Sequence, residues 1–298
     1  MKKQWKGSLF LLLAAMIWGA AFVAQSKGME YVGPFTLQAS RFFLSGTVLL
    51  PFVLLTKPPV IAREILFSKK QTALYGICCG ILLCIACTLQ QFGLLYTSVS
   101  KSGFITALYI ILVPVAGIFM KKKVSLNVWL GVLIALCGLY FLCLGGSVRL
   151  NFGDVLTFFC SIFFSAQILL IDRIGSRIRG VTLSCIQSYT VAAISFVCMF
   201  LFEHPTWDAI VACWLPITYA GILSGSVAYT LQIIGQNHSD PTIASLLMSL
   251  EAVFATLFGW LLLRQELAPR ELLGCALMLC AILLAQIPIH KLRKKSDI

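Results

Sequence analysis

Residues 245–263 read SLLMSLEAVFATLFGWLLL, and Glu251 is the only charged side chain among them. Nineteen residues at 1.5 Å each cover roughly 28 Å, close to the ~30 Å hydrocarbon thickness of a bilayer. Lipid offers no partner for peptide groups, so such a stretch crosses as a helix. Working outward, comparable windows lie at about 8–26, 35–55, 72–94, 102–120, 126–146, 154–171, 181–202, 210–233, 242–263 and 271–289. Their only charged residues are Arg41, Asp154, Glu251 and Glu271, with Asp154 and Glu271 at window edges. The whole chain of 298 residues is 59% hydrophobic and 11% charged, against roughly 25% charged in soluble domains. Mean hydropathy is +0.94. These features predict an all-α membrane protein with ten transmembrane helices.

The net charge of +12 raises nucleic acid as a partner, but the order of the basic residues gives another reason for it. With the N-terminus in the cytoplasm, 17 of the 23 Lys and Arg fall in cytoplasmic segments and five on the opposite side, with Arg41 intramembrane. That asymmetry fixes orientation, predicting a multi-pass cell-membrane protein with both termini cytoplasmic. The basic stretch Lys291–Lys295 suits anionic lipid headgroups, and no nucleic-acid partner is expected. The basic, then apolar, start resembles a secretory signal; it is read as a retained first span, because its removal would spoil the symmetry described next. Cys84-x-x-Cys87 sits on a membrane helix with no His or acid nearby, and reads as packing rather than a metal or redox site. No metal and no cofactor are expected, and no G-x-x-x-x-G-K-[ST] loop is present for ATP.

The chain repeats itself weakly. LQQFGLLYTSVSKSGFITALYIILVPVAGIFM (89–120) lies on LQIIGQNHSDPTIASLLMSLEAVFATLFGWLL (231–262) at an offset of 142, matching Leu89, Gln90, Gly93 and Gly117 to Leu231, Gln232, Gly235 and Gly259. One inserted residue later, Gly131 meets Gly274. Residues 1–148 and 149–298 then hold five helices each. An odd number makes the second half enter from the opposite side, giving two inverted five-helix repeats, an architecture common among alternating-access carriers.

Four stretches resemble a known family: Trp18-Gly19-Ala20-Ala21-Phe22, Arg41-Phe42, LYIILVPVAGIFM (108–120) and SLEAVFATLFGWLLLRQE (249–266). Together they resemble EamA-type members of the drug/metabolite transporter superfamily, over residues 8–289. The resemblance implies a carrier of two five-helix EamA-like repeats that exports small metabolites, often amino acids, with a small-molecule partner and no enzyme activity. Two departures stand out. Glu251-Ala252 replaces a common Glu-Pro, so the family's proline kink is not expected here. Lys121, Lys122 and Lys123 stand where relatives often place an acid, which Glu266 keeps in the second half.

A central acid costs enough in lipid that it needs compensation, so Glu251 is either neutral or ionised against Arg41, the one intramembrane cation, if the second and ninth helices are neighbours. A carboxyl that exchanges its proton as the cavity faces each side would couple transport to a proton gradient; interhelical packing is the alternative. Gln90 and Gln232, at matching places in the third and eighth spans, suit a polar or zwitterionic ligand, since amides both donate and accept. Gln25, Gln38, Gln91, Gln167 and Gln187 are further amides better suited to interhelical bonds. Trp18, Phe22, Tyr109 and Tyr229 are candidates to wall the pocket, whereas Trp5, Trp129, Trp207 and Trp214 lie near span ends as interfacial anchors. Gly76-x-x-x-Gly80 and Gly221-x-x-x-Gly225 allow close helix contact. Two other classes compete with a carrier. A passive channel would want charge rings or a carbonyl filter, neither of which is visible. An intramembrane enzyme built on Ser224-Gly225-Ser226 and His238 fails on distance, since His238 falls in the following loop.

Overall fold

The computed structural model describes residues 2–56, 67–97, 99–121, 124–143, 151–263 and 268–286. Lys57, Arg63, Lys122, Lys123, Arg149, Arg264, Glu266 and the Lys291–Lys295 stretch lie outside the described residues. Helices account for nearly all the described chain: α1 (Lys2–Gly28), α2 (Pro34–Leu55), α3 (Lys69–Leu94), α4 (Val99–Thr106), α5 (Tyr109–Phe119), α6 (Leu126–Cys143) and α7 (Phe152–Ile174). They continue with α8 (Gly180–Phe202), α9 (Trp207–Ala212), α10 (Trp214–Thr218), a π-helical stretch Tyr219–Ala228, α11 (Tyr229–Gln236), α12 (Pro241–Met248), α13 (Glu251–Leu263) and α14 (Pro269–Gln286). Eight helical stretches among the described residues are long and apolar enough to cross a membrane. The expected windows at 126–146 and 271–289 correspond to α6, whose apolar part Leu126–Phe141 is shorter, and to α14, against which it packs. The chain is an all-α, multi-span membrane protein.

Polarity is distributed as hydrocarbon demands. Large apolar side chains such as Leu55, Phe119, Phe200 and Phe202 face outward, while Gln25, Gln38, Gln90, Gln91, Gln167, Gln187, Gln232, Arg41 and Glu251 are buried. Trp5, Trp207 and Trp214 are exposed near span ends, and Trp129 is half-buried. Cys84 and Cys87 are free and buried; Gln38 Nε2 lies 3.6 Å from Cys84 Sγ, and Cys87 Sγ lies 3.6 Å from the Tyr229 hydroxyl.

Two spans are broken, and at matching places. The fourth turns at Ala107–Leu108 between α4 and α5; the ninth turns at Ser249–Leu250 between α12 and α13. At both turns the backbone tightens to i→i−3 bonds. Leu108 N donates to Ile105 O and Ile110 N to Ala107 O, while Leu250 N donates to Leu247 O and Ala252 N to Ser249 O. Pro114 removes a helical donor one turn past the first break. The second break has no proline. There Ser245 and Ser249 hydroxyls donate back to the Thr242 and Leu246 carbonyls at 2.9 and 2.8 Å, competing with the helical ladder. The break expected to depend on proline therefore persists without it.

Neighbouring helices approach closely at small residues. A methyl on Gly138 would lie 2.9 Å from the Gly274 carbonyl, and one on Gly131 2.9 Å from Ala281 O, bringing α6 and α14 into backbone contact. Gly76 and Gly80 receive Ile186 and Thr190 of α8, and Gly221 and Gly225 receive Arg41, Leu44 and Ser45 of α2. Polar clips tie the ends. Glu203, just past α8, accepts from Phe35 N, Thr36 N and Thr36 Oγ1 at 2.8, 2.8 and 2.6 Å, serving the open amides at the start of α2. Arg179 Nη1 donates to Thr56 O at the other end of the same pair, at 2.6 Å.

Asp154 makes the densest clip. It closes a capping box with Asn151, accepts from Thr97 Oγ1 at 2.8 Å, and pairs with Lys101 Nζ at 2.5 Å. The carboxylate is 2% exposed and joins the α3–α4 connection to the start of α7. Removing it takes this ion pair from Lys101 and an acceptor from both Thr97 Oγ1 and Asn151 N. Asp154→Ala is expected to cost on the order of 3 kcal/mol, read as a lower thermal midpoint in detergent, with Asp154→Asn recovering part of the loss. A midpoint unchanged in both variants contradicts the clip.

Candidate functional site

The helices line a cavity whose empty space, open solvent at its mouth included, is about 510 Å³. Trp18, Phe22 and Gln25 of α1 line it, together with Arg41 of α2, Gln90 of α3, Phe164 and Ile168 of α7, Ser224 of the π-helical stretch, and Gln232 of α11. Of the remaining lining residues, Tyr109 and Glu251 open α5 and α13 and Met248 closes α12, whereas Tyr229 stands where the π-helical stretch passes without interruption into α11. At Tyr109 and Glu251 the side chain is aimed by the break behind it rather than by an uninterrupted helical face.

All eight residues singled out in the sequence, Glu251, Gln90, Gln232, Arg41, Trp18, Phe22, Tyr109 and Tyr229, fall on this one cavity. Gln25 joins them, although as one of the amides assigned to interhelical bonding. Phe164, Ile168, Ser224 and Met248 were missed. Phe164 and Ile168 stand four residues apart on α7, as Trp18 and Phe22 do on α1, and aligning the first and sixth spans would have pointed to them. Of the remaining amides, Gln38 donates to Thr88 and Ser195 at 2.9 and 3.0 Å, and Gln167 and Gln187 bond each other at 3.5 Å.

The hydrogen bonds in the wall are few. Tyr109 Oη donates to Glu251 Oε1 at 3.0 Å, bridging the two broken spans. Gln90 Nε2 donates to Thr106 Oγ1 at 3.2 Å, and Gln232 Nε2 to Gln167 Oε1 at 3.2 Å. Tyr229 packs its ring 5.1 Å from Trp18 and 6.0 Å from Phe42, centroid to centroid. The expected alternative of an Arg41–Glu251 ion pair is not formed. α2 packs chiefly on α8 and the π-helical stretch rather than on α13, and Glu251 takes a tyrosine instead. Arg41 is 3% exposed, stands over the Phe42 ring at 4.7 Å, and leaves Nε and Nη2 without partners among the described residues. Trp18 Nε1, Gln25 Oε1 and Gln232 Oε1 are likewise unpaired.

The π-helical stretch has a local cause. Ser226 Oγ reaches the Gly221 carbonyl five residues back at 3.2 Å, and the Ser45 carbonyl across the interface at 3.1 Å, in a run of small residues that tolerates a wider turn. That bonding commits Ser226 to the α2 contact. His238 instead sits in the turn beyond α11, against Gly7, so the two do not form a nucleophile–base pair.

Comparison with known proteins agrees with this architecture. The model of the EamA-like transporter family matches residues 5–144 and again 151–286. An uncharacterised transporter of Archaeoglobus fulgidus is 29% identical over 96% of this chain and 88% of its own length. The transporter YwfM of Bacillus subtilis is 24% identical, covering 93% and 92%. An S-adenosylmethionine/S-adenosylhomocysteine transporter of Chlamydia trachomatis is 24% identical, covering 91% and 88%. A solved crystal structure, 20% identical, shares the fold with a TM-score of 0.78 over 96% of this chain and 98% of its own. These relatives are transporters rather than enzymes, and the chain described here belongs to the EamA-like transporter family of the drug/metabolite transporter superfamily.

Proposed function

We propose that this chain is a secondary carrier that exports a small organic metabolite, an amino acid or related compound, by alternating access, and that Glu251 couples the movement to protons. On this reading ten crossings form two oppositely inserted halves, residues 1–148 and 149–298, with both termini in the cytoplasm. One observation carries it. Tyr109 and Glu251 are 142 residues apart, the offset at which the sequence repeats, and they bond each other across a cavity wall at two matching helix breaks. Equivalent positions that touch lie on the axis relating the halves. Broken helices meeting at such an axis are the usual setting of a carrier's midplane site.

Other contacts support the same reading. Cys87 and Tyr229 also meet at a separation of 142 residues, and Ser45 and Ser188 at 143. A methyl on Gly7 would lie 2.9 Å from the Gly235 carbonyl, and one on Gly153 2.6 Å from the Gly93 carbonyl, the same kind of contact made twice between the halves. α1 lies against α12 and α13 as α7 lies against α4 and α5. The outward direction follows the family. The Chlamydia relative adds S-adenosylmethionine to the solutes worth testing.

The reading is tested with a metabolite panel in reconstituted vesicles, with and without a pH gradient. In Glu251→Gln, gradient-driven accumulation is expected to fall to the level of empty vesicles while solute counterflow persists. Unchanged gradient-driven transport removes the coupling role, and flux that rises linearly without saturation or counterflow removes the carrier. The axial bond has its own test. In a double-mutant cycle of Tyr109→Phe and Glu251→Leu followed by thermal midpoint, the pair is expected to be coupled by about 1–3 kcal/mol. Additive losses contradict a bond between them.

A further inference from the structure

The unpaired polar atoms around the cavity form a pattern that the hydrogen bonds of the wall do not use. Arg41 is the sharpest case. A buried guanidinium ion is costly unless it is paired. Among the described residues no carboxylate is paired with it: Glu251 accepts from Tyr109, Asp154 is held by Lys101, and Glu203 serves the start of α2. The Phe42 ring, 4.7 Å from the guanidinium carbon, gives a cation–π contact, which is weaker than a counter-ion. The two atoms left bare, Nε and Nη2, are neighbours on one edge of the guanidinium. That edge presents two parallel N–H groups at the spacing of two carboxylate oxygens.

The opposite polarity is offered by other parts of the same wall. Gln25 Oε1 and Gln232 Oε1 are buried acceptors with no donor among the described residues, and Glu251 is the cavity's acid, 6% exposed. Trp18 Nε1 adds one unpaired donor. A cavity lined by a bare cationic fork and an acid that do not pair with each other suits one molecule bearing both complements. A neutral solute would leave the guanidinium uncompensated, and a purely cationic one would add to its charge.

We propose that Arg41 is a carboxylate subsite, holding two oxygens of the transported solute on its Nε–Nη2 edge, and that the solute is a zwitterion whose ammonium faces the Gln25, Gln232 and Glu251 acceptors. This rests on the carrier reading and narrows it to solutes with a free carboxylate. Arg41 fixes the orientation and selects against molecules whose carboxyl is amidated, esterified or missing.

The test uses the full-length protein in detergent and in vesicles, with a panel of amino acids, each beside its own carboxamide and its decarboxylated amine. Binding is read by thermal shift and transport by counterflow. At least one acid is expected to bind, with its carboxamide and amine weaker by at least about ten-fold, the loss that follows from removing hydrogen bonds to a charged group. Arg41→Gln is expected to erase the preference for the acid, and Arg41→Lys, a point charge without the fork, to restore only part of it. The wild-type comparison of acid with carboxamide stands even if a variant fails to fold. Equal binding of acids and carboxamides, an absence of binding by every acid, or saturable counterflow of a solute without a carboxylate overturns the proposal. That last result leaves the carrier reading intact, whereas an absence of saturable counterflow by any solute overturns the carrier itself.

Discussion

The Tyr109–Glu251 hydrogen bond is the point on which the rest of the molecule turns. A carboxyl in the middle of a membrane span must find a partner or be excluded from lipid, and this one finds a phenol on another broken helix. Each residue is the first of a new helical segment, so each is aimed by the interruption behind it. The interruptions arise differently, with Pro114 following the first and serine hydroxyls pulling on carbonyls in the second. Both end in the same tightened i→i−3 bonds. The geometry is kept while the chemistry producing it differs.

Around that point the buried polar groups play different parts. Gln38, Gln167, Gln187, Ser45, Ser188 and Ser226 are bonded to one another or to neighbouring helices, holding the bundle together. Unpaired polar atoms occur away from the cavity, as at Gln91 and Gln236, but those of Arg41, Trp18, Gln25 and Gln232 belong to residues that line it together. Buried polar groups are nearly always satisfied, so a cluster of unsatisfied ones around a void is a statement about what fills it. The end clips at Asp154, Glu203 and Arg179 lie away from this wall and join α3–α4 to α7 and α2 to α8.

Much of this was legible in the sequence, for a physical reason. Hydrocarbon tolerates so few polar residues that each exception is conspicuous, which is why Glu251, Arg41, Gln90 and Gln232 could be picked out and all line one cavity. The partner of Glu251 was not legible. The sequence offers Arg41 as a counter-ion or a neutral carboxyl bonded to another helix, but which helices are neighbours depends on packing, and α2 is drawn to α8 and the π-helical stretch by Gly46, Gly221 and Gly225. Nor did the sequence reveal the breaks, since Ser245 and Ser249 are indistinguishable there from serines that merely pack. The π-helical widening was hidden for the same reason.

The proposed carrier mechanism rests on two helix breaks that wall one chamber, which on that proposal opens in turn to each side of the membrane. The most direct measurement is the side from which a thiol placed there can be reached. In a cysteine-depleted background, Met248→Cys, at the end of α12 on the cavity wall, is labelled with a membrane-impermeant maleimide applied from either face. Alternating access predicts labelling from both faces, slowed by transported solute on each. Labelling from one face alone, or from neither, contradicts it.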